Sequence, residues 1–165
     1  MNWVDRADQI LFHPKYQYAL EQIKKWEKER QFCRHGIGHF LDVARLTYIH
    51  CLEAGVDVGK DVVYAAALLH DIGRYRQYEA GIPHEEASAS LADEILPECS
   101  FSEEEQAQIR DAILGHRRKE AGAAKGSALA ELLCRADKLS RNCFACAVRE
   151  ACNWPENKMN MGIRD

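Results

Sequence analysis

A stretch of about 18 apolar residues, the length a membrane-crossing helix needs, is absent from this chain, and its most hydrophobic run, Val62 to Leu69, covers eight. The opening segment, MNWVDRADQILFHPKY, has acidic residues where an export signal needs an apolar core. A soluble, cytoplasmic protein with no membrane partner is expected. Positive charge is not in excess: Lys and Arg number 22 against 26 Asp and Glu, a net charge of −4. A broad nucleic-acid-binding face is therefore not expected, local basic patches aside, and any anionic partner should be small. Proline is scarce, at four in 165 residues, glycine numbers ten, and no repeat or low-complexity tract occurs. Cysteine, by contrast, is plentiful. Seven of them, an odd number, run from Cys33 to Cys152, and without an export signal they are expected as reduced thiols rather than as a disulfide framework.

With so little punctuation, apolar residues recur at helical spacing in nearly every segment. The expectation is an all-α, single-domain bundle of about seven or eight helices. A first helix is expected near Val4 to Phe12 and a second over Lys15 to Arg30, with Tyr16, Ala19, Leu20, Ile23 and Trp26 on one face, so that Trp26 reads as core. This amphipathic pair either caps the bundle or joins two copies of the chain. The third helix, about Ile37 to Ala54, places His39, Val43, Leu46 and His50 inward and stops at Gly55. The fourth, about Asp61 to Ile72, opens at an Asp61 N-cap and ends at Gly73; the fifth runs from His84 past Pro83 to Leu96. Ser102 and Glu105 form a capping-box pattern that starts a helix with Ile109, Ala112, Ile113 and His116 on one stripe. After the polar loop RRKEAGAAKG, a further helix has Leu129, Leu133 and Asp137 at i, i+4 and i+8. One more short helix is expected to carry the C-terminal cysteines before an irregular tail.

The pattern brings ligand-type side chains inward from separate helices: His39, His70 with Asp71, His84, His116 and Asp137. Each histidine taken singly is more simply a hydrogen-bonded core residue. A buried aspartate is different, because an unpaired carboxylate in an apolar interior is costly and calls for a cation. Converging imidazoles and carboxylates supply that cation as one or two divalent metals. Imidazole-rich ligation disfavours Mg²⁺ and Ca²⁺ and favours Fe, Mn, Co, Ni or Zn, with iron or manganese foremost.

Three segments, GHFLDVARL, ALLHDIGR and CRADKLSR, resemble in order and residue type the signature of the HD superfamily of metal-dependent phosphohydrolases. The resemblance spans residues 34–141, between N-terminal helices over 1–30 and a cysteine-bearing segment over 142–165. It implies that His39, His70, Asp71 and Asp137 hold one metal and that His70 and Asp71 are catalytic. GIPHEEAS and AILGHR are similar to the dinuclear branch, which implies a second metal held by His84 and His116 with Asp71 as bridge. The chemistry implied is hydrolysis of a phosphoester or phosphoanhydride of a small molecule, most simply a nucleotide, by metal-activated water. Two alternatives stand beside it: a dinuclear-iron oxygenase of the same superfamily, and a non-catalytic nucleotide-sensing or metal-binding module.

Basic residues flank the ligands in sequence: Arg74, Arg117, Arg118, Lys119, Lys138 and Arg141. They suggest a small basic rim for an anionic substrate, with Arg74, Arg117 and Lys138 foremost, although cations also decorate helix C-termini. His13, His35 and His50 read as structural or exposed, and Asp42 with Arg45 as a surface pair. Cys143, Cys146 and Cys152 are either buried thiols on one helix face or zinc ligands completed by Cys33 or Cys134.

Overall fold

The structure, a computed structural model, describes residues 5–117 and 126–164. Val4, Arg118, Lys119 and most of the polar loop that begins at Arg117 lie outside the described residues. Eight α-helices and four short 3-10 turns, with no strand, make up the described residues: α1 (Asp5–Leu11), α2 (Pro14–Trp26), α3 (Ile37–Glu53), α4 (Lys60–Leu69), α5 (Arg74–Ala80), α6 (His84–Ile95), α7 (Glu103–Gly115) and α8 (Ala128–Leu139). The all-α expectation is met. No described helix is long and apolar enough to cross a membrane.

α4 is the axis of the bundle. It touches α1, α3, α6, α7 and α8, which is why seven of its ten residues are buried and the sequence there is apolar almost all round. Three consecutive alanines, Ala65 to Ala67, let the neighbours approach its backbone closely. Near its end the carbonyl of Leu68 accepts a 3.1 Å hydrogen bond from the buried Tyr16 hydroxyl of α2, which satisfies a group that a helix C-terminus otherwise leaves open. The N-terminal pair caps the bundle: α1 lies on α4, and α2 lies on α5 and α6. Arg6 clamps this cap, pairing with both oxygens of Glu105 at 2.6 and 2.8 Å and with Asp61. That contact, followed by the capping-box bonds to Ser102, holds the Glu105 carboxyl at about 2.

Several expected boundaries shift. α4 begins at Lys60 with Gly59 as N-cap, and Asp61 faces Arg6 instead of capping. α2 ends at Trp26, not Arg30, because Glu27 turns into the protein, where it is buried. Trp26 is accordingly 51% exposed, a correction to its core assignment; its ring lies against that of Tyr78. α5 has no counterpart in the sequence reading. Of the C-terminal cysteines, Cys143 opens a 3-10 turn (Cys143–Ala145), and Cys146 and Cys152 directly follow that turn and the next (Arg149–Ala151); none is on an α-helix.

Two glycines permit close approaches beside the ligand-type residues. A Cβ on Gly73 would stand 2.4 Å from the backbone nitrogen of Ser88 and 2.7 Å from the Ala87 Cβ, and one on Gly115 would stand 2.7 Å from the Ala130 Cβ. Gly73 also donates its N–H to Ser88 Oγ at 2.8 Å, which fixes α6 against the turn after α4. Because the obstacle at Gly73 is backbone, Gly73→Ala forces α6 outward and is expected to cost about 1–3 kcal/mol, in the range of overpacked cores. Urea unfolding of the variant beside the parent chain checks this, and an unchanged midpoint would contradict it.

Candidate metal centre

Every ligand-type residue sits at or near a helix end. His39 lies in the first turn of α3, His70 and Asp71 directly follow α4, His84 opens α6, His116 follows α7, and Asp137 belongs to the last turn of α8. The helix ends converge, so residues scattered over the sequence meet in one place. His70, Asp71, His84 and His116 are buried, and His39 and Asp137 are partly so.

Two groups of side chains there could hold a metal ion: His39, His70, Asp71 and Asp137, and Asp71, His84 and His116, with the ligand atoms of each group within 4.8 Å of one another. Asp71 belongs to both. His39 Nε2 lies 3.1 Å from Asp137 Oδ1; His70 Nε2 lies 3.5 Å from both Asp71 Oδ2 and Asp137 Oδ1. On the other side of the carboxylate, His84 Nε2 and His116 Nε2 are 3.2 and 3.6 Å from Asp71 Oδ1. Ligands on adjacent positions of an ion with bonds of about 2.1 Å stand about 3.0–3.5 Å apart, so the separations fit. Among the described residues, the buried Nε2 atoms of His70, His84 and His116 and both Asp71 oxygens have no hydrogen-bond partner. Orphaned atoms of this kind, all aimed at a common point, are what a divalent ion would satisfy.

Contacts behind the rings point the same way. His70 Nδ1 lies 2.6 Å from the Ala67 carbonyl, His116 Nδ1 2.5 Å from the Ile113 carbonyl, and His84 Nδ1 3.0 Å from Gln77 Oε1. A carbonyl accepts only from N–H, so each ring carries its proton on Nδ1 and presents the Nε2 lone pair to the centre. Burial drives the His39 pKa down to about 4 and that of His84 to about 3, so both are neutral, as ligation requires. Asp71 shows the opposite balance: burial raises its carboxyl, but His70, His116 and Arg74 outweigh it and hold it well below the usual range.

A cleft of about 300 Å³ opens beside this cluster, lined by Asp137, His35 and four arginines, Arg30, Arg74, Arg117 and Arg141. Arg74 and Arg117 are among its lining residues, whereas Lys138, on the outer side of α8, is exposed and is not. Arg30, Arg141 and Trp154 line the cleft instead. Arg30 and Trp154 carry no sequence signal, because they reach the cleft from non-helical segments.

His35 is the larger revision. It is buried, its ring faces that of His39 at 5.8 Å, and its Nε2 lies 3.6 Å from Asp71 Oδ2. Its Nδ1 is held 2.5 Å from the buried Glu27, which also accepts from the His35 backbone N–H at 2.7 Å and from the Tyr78 hydroxyl at 2.7 Å. Among the other histidines, His13 caps α2 by accepting from the Lys15 N–H at 3.2 Å, and His50 is buried on α3. Asp42 and Arg45 form an exposed pair at 3.8 Å.

An all-helical bundle with histidines and aspartates gathered at its helix ends defines a protein class that binds divalent metal. Residues 36–142 match the family model of the HD domain, and the chain belongs to that family, which is of metal-dependent hydrolase type. It is 44% identical to an uncharacterized protein of Clostridium beijerinckii over 160 residues, 97% of this chain and 99% of that one. Its fold is similar to the crystal structure of a predicted HD superfamily hydrolase from an uncultured Thermotogales bacterium, with a TM-score of 0.63 and 22% identity, over 89% of this chain and 80% of the other.

The shared position of Asp71 makes metal counting informative. With Mn²⁺ reloaded after chelation, we expect about two ions per chain, about one in His116→Ala, and fewer than one in Asp71→Ala. Equal metal content in parent and His116→Ala, by elemental analysis after desalting, would contradict the second group.

Proposed function

We propose that the chain is a two-metal phosphohydrolase that cleaves a phosphoester or phosphoanhydride of a nucleotide. The observation that carries this reading is the cleft: four guanidinium groups gather around the candidate metal centre in a chain whose net charge is −4. A small phosphorylated anion suits that arrangement of charge and donors. The seven free thiols suit a reducing, cytoplasmic setting.

His39, His70, Asp71 and Asp137 would hold one ion, and Asp71, His84 and His116 the other, with iron or manganese the best match to the donor set. Such ions supply water activation near neutral pH and neutralise charge on the phosphoryl oxygens. The remaining steps fall to the protein's own groups. Arg74 Nε stands 3.2 Å from Asp71 Oδ2, so it both steadies the bridge and lines the cleft. Arg141 Nη2 lies 3.1 Å from His39 Nε2 while Nη1 donates to the Arg34 carbonyl at 2.9 Å. His39 can give its Nε2 lone pair to Arg141 or to a metal, not to both. With His39 holding a metal, Nη2 would be free for an anion, and metal and substrate binding would be cooperative through one guanidinium.

Glu27 holds the Nδ1 proton of His35 and leaves Nε2 facing the cleft. Burial lowers the pKa of this ring, so Nε2 carries a lone pair that can accept a proton from an attacking water. Trp154 offers an aromatic wall against which a nucleobase can stack.

The test is phosphate release from a nucleotide panel by protein reloaded without oxygen with Fe²⁺, Mn²⁺, Co²⁺ or Zn²⁺. Asp71→Ala should lose more than about 100-fold in rate, and Arg117→Ala should raise KM more than it lowers kcat. His35→Asn, which removes this base, should lose about 10²-fold on nucleotides and on nitrophenyl phosphate alike. Silence on every substrate and metal, with oxygen uptake in its place, would move the centre to oxygenase chemistry.

A further inference from the structure

Four of the seven cysteines line one cavity of about 260 Å³: Cys33, from the loop before α3, and Cys143, Cys146 and Cys152, from the C-terminal segment. Cys134, the other fourth ligand that the sequence allowed, does not line it, and Cys51 and Cys99 are buried in the core. His39, Ser140, Arg141 and Arg149 also line the cavity.

The segment that carries three of these thiols needs something to hold it. Residues 143–164 contain 3-10 turns and no α-helix, and their only buried side chains are Cys143 and Asn160. Phe144, Met161 and Ile163 point to solvent. Hydrophobic burial therefore cannot offset the cost of ordering this backbone, about 1–2 kcal/mol per residue. Its main polar anchor is Asn160, whose Nδ2 donates to the Lys138 and Arg141 carbonyls, both at 2.8 Å. A metal bound by side chains from both the segment and the loop before α3 would supply the missing cross-link.

The surroundings hold these thiols protonated unless a cation joins them. The Trp154 N–H donates to Cys152 Sγ at 3.4 Å, a bond that becomes stronger when the sulfur is charged. Burial raises the Cys33 thiol and the three other thiols add to this, while Arg141 opposes it. Four sulfurs that repel one another as anions around one cavity call for a cationic occupant.

Spacing selects the occupant. Among the described residues, no three of these sulfurs lie within 4.8 Å of one another. A tetrahedral zinc ion with bonds of about 2.3 Å would draw its sulfurs to about 3.8 Å apart. A cubane cluster holds its four thiolates further apart, around a core of iron and sulfide that needs a cavity. We propose that Cys33, Cys143, Cys146 and Cys152 are the ligands of a [4Fe–4S] cluster that ties the C-terminal segment to the loop before α3. Each thiol releases its proton on binding, and each thiolate takes one of the four irons.

The experiment is an assay of acid-labile sulfide and visible absorption on the full chain. It is run on protein purified without oxygen, and again after reconstitution with ferric iron, sulfide and a dithiol, which supplies the two electrons a four-iron core takes up. About four labile sulfides per chain are expected, lost in Cys143→Ser and Cys152→Ser and retained in Cys134→Ser. Labile sulfide separates this iron from any at the histidine centre. Thiol alkylation of the parent chain gives a reading that does not depend on variants folding: reconstitution should protect about four of its thiols. No labile sulfide in the parent would overturn the proposal, as would sulfide undiminished in Cys143→Ser. Zinc bound to these thiols without sulfide would overturn the cluster in favour of a single ion.

Discussion

Asp71 follows the most buried helix of the protein, 1% exposed, with imidazoles and one guanidinium around its two oxygens. A carboxylate in that position has lost its water, and the desolvation is tolerable only if positive charge replaces it. Much of the architecture follows from this requirement. α4 must be enclosed for its own apolar residues, so whatever neutralises its charged end must come from helices that already surround it. Four of those enclosing elements, α3, α6, α7 and α8, each deliver a ligand-type side chain from one end.

The geometry holds because neighbouring backbones come closer than ordinary side chains allow. Gly73 and Gly115 lie within two residues of Asp71 and His116, and the atoms they face belong to the first turns of α6 and α8. Carbonyls at the ends of α4 and α7, Ala67 and Ile113, then fix the tautomers of His70 and His116. Backbone groups that a helix terminus leaves open thus serve as orienting partners.

This division explains what could be read from sequence. His39, His116 and Asp137 fall on apolar stripes, and a period of 3.6 turns them inward without further information. Asp71 follows an uncharged run that only a core position accounts for. Glu27, His35, Cys33 and Trp154 belong to turns and loops, where periodicity carries no direction. His35 reads as structural or exposed because it precedes the helix that carries His39, and its burial depends on Glu27, which follows the end of α2 at Trp26. α5 was missed because a seven-residue helix with one buried side chain, Tyr75, has too little pattern to detect.

The cleft has two kinds of wall. One is made of helix ends whose positions are tied to the burial of α4; the other is the C-terminal segment, held at Asn160 and presenting Trp154. Side chains on the second wall can change without moving those on the first. The candidate metal ligands and the aromatic face of the cleft are therefore carried by separate stretches of sequence, so that the second can vary while the first stays in place.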